Sequence, residues 1–314
     1  MYIGIDIGGT KCAVISADNC GKKLSRVSFP TTDYESTMKR IMQEVAALMP
    51  CRAIGISCGG PLDEERGMIL SPPNLPGWDE VPIVTMLEER FQVPAYLCND
   101  ANACALAEWR FGAGIGTQNM VFLTFGTGMG AGLILDGKLY RGTNGNAGEV
   151  GHMRLANYGP VGYGKIGSFE GFCSGGGIKQ LGQTVAREAI QQGTSPSFCP
   201  TMEDIEHISA KSLAEAADSG DEVACRIWQI VAEKLGLGLS LLIDLLNPEV
   251  IVIGSIFERS EHLLRTKAEE IIHREALSQS REVCRSLPAA LGDEIGDYAA
   301  IAVAMKEVLP NETC

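Results

Sequence analysis

Short apolar runs and helically spaced apolar positions alternate along the whole chain. Residues 2–6 make the first run, and residues 11–16 return as its hairpin partner across a glycine turn. Met38, Ile41, Met42, Val45 and Leu48 share one face of a helix predicted over 36–48. Residues 52–57 form the next strand, broken by Gly59-Gly60-Pro61, and the proline-rich residues 70–82 read as loop. A helix follows over 82–91 with Pro82 suited to its first turn, then a strand over 95–98 and a helix over 101–110. After the glycine-rich residues 112–116 the pattern restarts. A strand at 120–125, a glycine turn and a return strand at 132–135 precede the hairpin signal Asp136-Gly137. Such a restart suggests a duplicated unit. A long helix over 221–246 is stopped by Asn247-Pro248, a strand at 250–253 ends in Gly254-Ser255, and helices cover 260–275 and 298–308. Residues 193–210, rich in polar and turn residues, read as a mobile insertion. The alternation predicts two α/β domains, 1–115 and 116–297, each with a mostly parallel core and with a terminal helix, about 298–314, packing back on the first. A site is expected at strand ends in the cleft between them.

Composition narrows the classes. The 314 residues suffice for two hydrophobic cores, and 45% hydrophobic with 21% charged residues is globular. A net charge of −13 argues against a nucleic-acid-binding surface but not against a bound nucleotide, which a few local groups can hold. The N-terminal MYIGIDIGGTK lacks a basic n-region and a cleavage site, so no signal peptide is expected. The longest apolar stretch, near 235–246, is broken by Asp244 and too short for a membrane span. The eleven scattered cysteines include no C-x-x-C pair, which points to free thiols in a reducing cytoplasm.

Four segments carry chemistry. Asp6-Ile-Gly8-Gly9-Thr10-Lys11 follows the first strand, and its glycines let backbone N–H groups approach a phosphate. Thr10 adds a donor, Lys11 a positive charge, and Asp6 a carboxylate for water-mediated contact with Mg²⁺; alone, the segment also fits a plain hairpin. Gly126-Thr127-Gly128-Met-Gly130-Ala formally matches a dinucleotide fingerprint, but a strand follows it where that fingerprint opens a helix, so the Rossmann reading is rejected. Two strand–glycine–strand turns are better read as a phosphate clamp. Asp100 lies between a strand and a helix, which suits both an N-cap and a general base. Glu149, His152 and Glu170 offer the donors and acceptors a polyol needs, although each alone also suits a surface turn.

As a collinear set these residues resemble the ROK family of sugar kinases and regulators. The matching motifs are Asp6-x-Gly-Gly-Thr-Lys11, Asn74-Leu-Pro-Gly-Trp78, Asn99-Asp-Ala-Asn102, Gly126-Thr-Gly128 and Ala147-Gly-Glu-Val-Gly-His152, spread over residues 1 to 308. The resemblance implies a two-domain actin-like and hexokinase-like (ribonuclease H-like) ATPase fold closing on sugar and ATP. It implies transfer of the γ-phosphoryl group of Mg-ATP to a hexose hydroxyl, usually O6, in a cytoplasmic homodimer. Carried over, Asp100 matches the base. Asn74, Asn99, Glu149, His152 and Glu170 match sugar positions, with Gly60 beside them. Gly9, Thr10, Lys11, Thr127 and Gly128 match the phosphate loops, and Gly254-Ser255 matches a Gly-Gly pair beside adenosine.

Three departures stand out. The family often carries a zinc loop, a His followed by C-x-C-G-x-x-G-C-x-E. Aligned on Glu170, its cysteines fall on Val161, Tyr163 and Ser168, so no structural zinc is expected and His152 is left to serve the sugar alone. The loop must then be ordered another way, for which Tyr163 is a candidate. The usual G-x-P-G reads Gly59-Gly-Pro-Leu62, and Ser255 replaces a glycine. Glucose is the expected substrate, with N-acetylmannosamine or N-acetylglucosamine as the alternative and a non-catalytic sugar sensor as the reading from another class. A DNA-binding repressor is disfavoured, since that form needs an additional helix-turn-helix region and the charge is wrong.

Overall fold

The computed structural model describes residues 1–307. It divides into two compact units: residues 1–116, 132–147 and the described residues from 290, and residues 117–131 with 148–289.

The first unit is built on a five-stranded sheet. Its strands are β1 (Tyr2–Ile7), β2 (Lys11–Ala17), β3 (Lys23–Pro30), β4 (Ile54–Cys58) and β5 (Ala95–Asn99), in the order β3-β2-β1-β4-β5. β1, β4 and β5 run parallel, in a register that sets Ile7 opposite Cys58 and Cys58 opposite Asn99. One face packs Ile3, Ile5, Ile54 and Ile56 against Met38, Ile41 and Val45 of helix Tyr34–Leu48 and Leu87 of helix Ile83–Phe91. The other face receives helix Ile295–Ala304. Paired Gly4 and Gly55 allow that approach, because a Cβ on Gly4 would lie 2.8 Å from Ala300 Cβ and one on Gly55 2.2 Å from the Ala304 nitrogen. Anything expected of residues 308–314 lies outside the described residues.

Strands Ala131–Leu135 and Lys138–Tyr140 form a hairpin whose turn residues, Asp136 and Gly137, both have positive φ, the geometry that tight antiparallel turns favour. Gly132 is seated so closely on helix Asp100–Phe111 that a Cβ would come within 2.4 Å of Ala105 Cβ.

In the second unit, strand Val250–Ile253 lies between Met120–Leu123 and Arg285–Pro288, all parallel. Helices Glu222–Leu246 and Ile256–Glu275 meet at Gly236, where a Cβ would be 2.6 Å from Ile271 Cβ.

Several expected boundaries shift for physical reasons. The helix expected from 260 starts at Ile256, and a non-helical Ser260 (φ −125°) kinks it where the pattern breaks. The last helix spans Ile295–Ala304 rather than 298–308. Pro82 is the N-cap of its helix rather than a first-turn residue. β3 has no buried residue, and helix Gly175–Gln191 opens on three glycines, so neither pattern announced itself. The expected insertion at 193–210 buries Cys199, Ile205 and Ile208 and contains a 3₁₀ turn over Met202–His207. Nine described cysteines are free thiols, but Cys20 is disulfide-bonded, which corrects the expectation at that position.

Candidate functional site

In the first unit the candidate residues gather because three parallel strands end side by side. β1 runs into Gly8-Gly9, β4 into Gly59-Gly60 and β5 into Asp100. The first glycine turn is closed by Gly8 N–H donating to Lys11 O (3.1 Å) and is pinned by Thr31, which donates through Oγ1 to Gly8 O (2.6 Å) and through N–H to Thr10 O (3.0 Å). Gly9, Thr10 and Lys11 stay exposed. A Cβ on Gly9 would lie 2.6 Å from Asn74 O, so the turn rests directly on the loop that carries the exposed Asn74. Trp78, in the same loop, is fully buried edge-on to Tyr34, with ring centroids 5.4 Å apart.

Asn99, not Asp100, is the N-cap of helix Asp100–Phe111; its side chain accepts from Ala101 N–H (3.0 Å). Asp100 is the first helical residue, exposed, with Oδ1 also accepting from Ala101 N–H (2.8 Å). Gly60 lies beside Asn99, since a Cβ there would be 3.5 Å from Asn99 Nδ2; one on Gly59 would be 3.7 Å from Asp100 Oδ2.

Asp6 differs from its neighbours. Burial, with the negative charges of Asp297 and Asp100, pushes its carboxyl up to about 6. Gly296 approaches it closely, and Asp297 is held by Arg26 Nε (2.8 Å) and Lys23 Nζ (2.9 Å). A desolvated acid facing like charges fits a cation, which would relieve that repulsion. Among the described residues no group of three or more His, Cys, Asp or Glu side chains is placed to bind a metal.

In the second unit, strand Met120–Leu123 leads into the glycine turn 126–130, closed by Gly126 N–H to Gly128 O (3.1 Å) and Gly130 N–H to Thr124 Oγ1 (2.8 Å). Thr127 is exposed at its tip. Gly254-Ser255 ends the adjacent strand, and a Cβ on Gly126 would be 3.5 Å from Ser255 Oγ. Ser255 has φ 63° and ψ −104°, a conformation suited to glycine, at a position where the family resemblance puts glycine.

Glu149, exposed, precedes a short 3₁₀ turn over Val150–His152. Gly151 sits so close to Met129 O (2.3 Å from a would-be Cβ) that this turn lies against the glycine turn. Glu170, in the short helix Phe169–Phe172, accepts from Met129 N–H (3.0 Å). Glu149, His152, Glu170, Thr127 and Gly128 are thus neighbours along one stretch of backbone contacts.

The zinc ligand set of the family does not fit this chain. Val161 has no donor atom, and Ser168 Oγ is buried and caps Gly171 N–H (3.1 Å). The loop is instead a hairpin, Val161–Gly162 with Lys165–Ile166, turning at Tyr163-Gly164. Gln180 brackets Val161 with two hydrogen bonds of 3.0 Å, and Arg154 Nη1 donates to Ile166 O (2.7 Å).

A family model described as the ROK family matches residues 2–307. The chain belongs to the ROK family. Its relatives include a xylose repressor from Caldicellulosiruptor bescii, 32% identical over 290 residues that are 87% of this chain and 70% of the repressor. A glucokinase from Thermotoga maritima is 33% identical over 269 residues, 83% of this chain and 84% of that one. The structure of a ROK family glucokinase from Streptomyces griseus in complex with glucose and AMPPNP matches with a TM-score of 0.76 at 31% identity, over 97% of this chain and 99% of that one. The expected two-domain hexokinase-like α/β fold is therefore the fold of this ROK protein.

Three features of this ROK chain emerge only in the folded structure. Glu64 accepts from Asn99 N–H (2.9 Å) and pairs with Arg141 (3.1 Å), steadying the end of β5. Asp297 sets the charge around Asp6. Ser174 caps helix Gly175–Gln191, whose Gly175 N–H donates to Gly126 O (2.8 Å). The only local signal for the last was a serine followed by three glycines before an apolar helical face.

Proposed function

We propose that this ROK protein is a cytoplasmic, homodimeric ATP-dependent hexose kinase that phosphorylates glucose at O6. The observation that carries the reading is the line of three parallel strand ends, which sets Asp100 beside Gly59 and within electrostatic reach of Asp6. Asp100 acts as the general base. It aligns the attacking hydroxyl and takes its proton late, which a carboxylate can do because phosphoryl transfer has a loose transition state. Asn74, Asn99 and, beside it, Gly60 in the first unit, and Glu149, His152 and Glu170 in the second, bind sugar hydroxyls. Gly9, Thr10, Lys11, Thr127 and Gly128 receive the phosphates, and Gly254 and Ser255 border the adenosine. Asp6 would reach Mg²⁺ through water, and the ion would neutralise charge on the phosphates when bound.

The kinase-bearing relatives support phosphoryl transfer, and the nucleotide analogue in the glucokinase structure supports ATP. The repressor relative at comparable identity favours one second reading, a sugar sensor without turnover. N-acetylmannosamine and N-acetylglucosamine are the competing substrates within the kinase reading.

The test is ADP release from Mg-ATP against glucose, mannose, fructose, allose, N-acetylglucosamine and N-acetylmannosamine. Asp100→Asn is expected to lower kcat by about 10²–10⁴, the usual worth of a general base, without changing the melting temperature. Most activity retained in that variant would overturn the assignment of the base. A panel without turnover, in which one sugar still raises the melting temperature, would favour the sensor.

A further inference from the structure

His152 is held from two sides by a single hairpin. Lys165 Nζ donates to the His152 carbonyl at 2.6 Å, fixing the backbone. The Tyr163 ring meets the imidazole edge-on, with centroids 5.2 Å apart and planes at 77°. Both residues come from the four-residue turn Gly162-Tyr163-Gly164-Lys165.

Tyr163 pays no visible dividend at that place otherwise. Its φ is +44°, in the left-handed region where a residue with a Cβ is disfavoured and where two-residue hairpin turns prefer Asn, Asp or Gly. It is 84% exposed, so burial does not compensate for the backbone. Among the described residues the histidine is its one aromatic contact.

We infer that Tyr163 is a positioning residue: its ring orients the His152 imidazole for the sugar, at a place in the loop where the family's metal-binding pattern has a thiolate. The inference rests on His152 being a sugar contact, as proposed above. The hairpin itself is kept by backbone pairing, by Gln180 on Val161 and by Arg154 on Ile166, so the loop stays folded when the tyrosine ring is removed. Ordering and orientation are thus separate tasks, and only the second belongs to Tyr163.

The separation gives the test. Tyr163→Asn suits the left-handed turn better than tyrosine, so it is expected to raise the melting temperature slightly while raising the sugar KM about tenfold, the upper worth of one aromatic pair. The ATP KM should not move, kcat should change less, and Tyr163→Phe should restore the sugar KM. An unchanged sugar KM in Tyr163→Asn would overturn the inference. The chain has four histidines, so their imidazole Cε1–H resonances are separable by NMR, with His152→Gln assigning one. Tyr163→Asn should shift that resonance alone and Tyr163→Phe should keep it near its place; an unmoved His152 signal would also overturn the inference. This arm needs no turnover. If no sugar is phosphorylated and no sugar shifts the His152 resonance, the sugar-contact reading fails, and the inference falls with it. Zinc bound one per chain, with activity lost to 1,10-phenanthroline, would equally overturn it.

Discussion

The carboxylate of Glu170 accepts a hydrogen bond from the backbone N–H of Met129 at 3.0 Å. A residue assigned to the sugar is thereby tied to the turn assigned to phosphate. Gly128 is equally committed, since a Cβ there would be 3.0 Å from Glu170 Oε2. Glu170→Ala should raise KM for both sugar and ATP, because the freed N–H loosens the turn. A change confined to sugar KM would show that the bond does not link the two.

Asp6 makes stability depend on pH. Its folded-state pKa, about 6, lies above the ordinary 3.8, so the native protein binds the extra proton between these values. The Asp6 contribution to stability without ligand should therefore be fully present below the unfolded value and be lost as pH rises through about 6, by at most about 3 kcal/mol. Asp6→Asn should flatten this slope in urea unfolding and stabilise the unliganded protein at pH 7.5, while raising the KM for Mg-ATP. Equal slopes in both proteins would refute the electrostatic account.

Ser255 occupies backbone that glycine adopts freely. Ser255→Gly should gain about 1 kcal/mol, seen as a rise of roughly 2–4 °C in melting temperature. The serine hydroxyl accepts from Arg259 (3.2 Å) and takes part in a capping box with Glu258, and replacing a capping serine by glycine costs only a few tenths of a kcal/mol, about 0.3, less than the backbone gain. A lower melting temperature would mean that the strain is compensated by contacts of the hydroxyl.

Glu108 is fully buried and accepts from the backbone N–H groups of Ala113 (2.8 Å), Ala290 (3.0 Å) and Leu291 (2.9 Å). Glu108→Ala would remove the acceptor shared by three part-buried donors and should lower stability by about 1–3 kcal/mol in chemical denaturation. Kinetic constants of the remaining folded protein should change little.

The expected elements that held had local causes. Residues 250–253 read as a strand because four consecutive apolar residues are bounded by Asn247-Pro248 and Gly254, and the structure has that strand at Val250–Ile253. Asp136-Gly137 announced its turn because both positions need positive φ. β3 stayed hidden because an edge strand with exposed residues has no apolar period to read.

The sequence alone determined the glycine turns, the candidate carboxylates and the residues standing where the family's zinc pattern has cysteine, because each depends only on which side chain stands at which position. Tertiary structure alone decided which of these residues meet. Strand register brings Ile7, Cys58 and Asn99 into one line although the chain separates them by dozens of residues. Folding buries Asp6 beside Asp297 and seats Tyr163 on His152. Desolvation, like-charge repulsion and ring contacts act over a few ångströms of space, and a linear chain does not state those distances until it is packed.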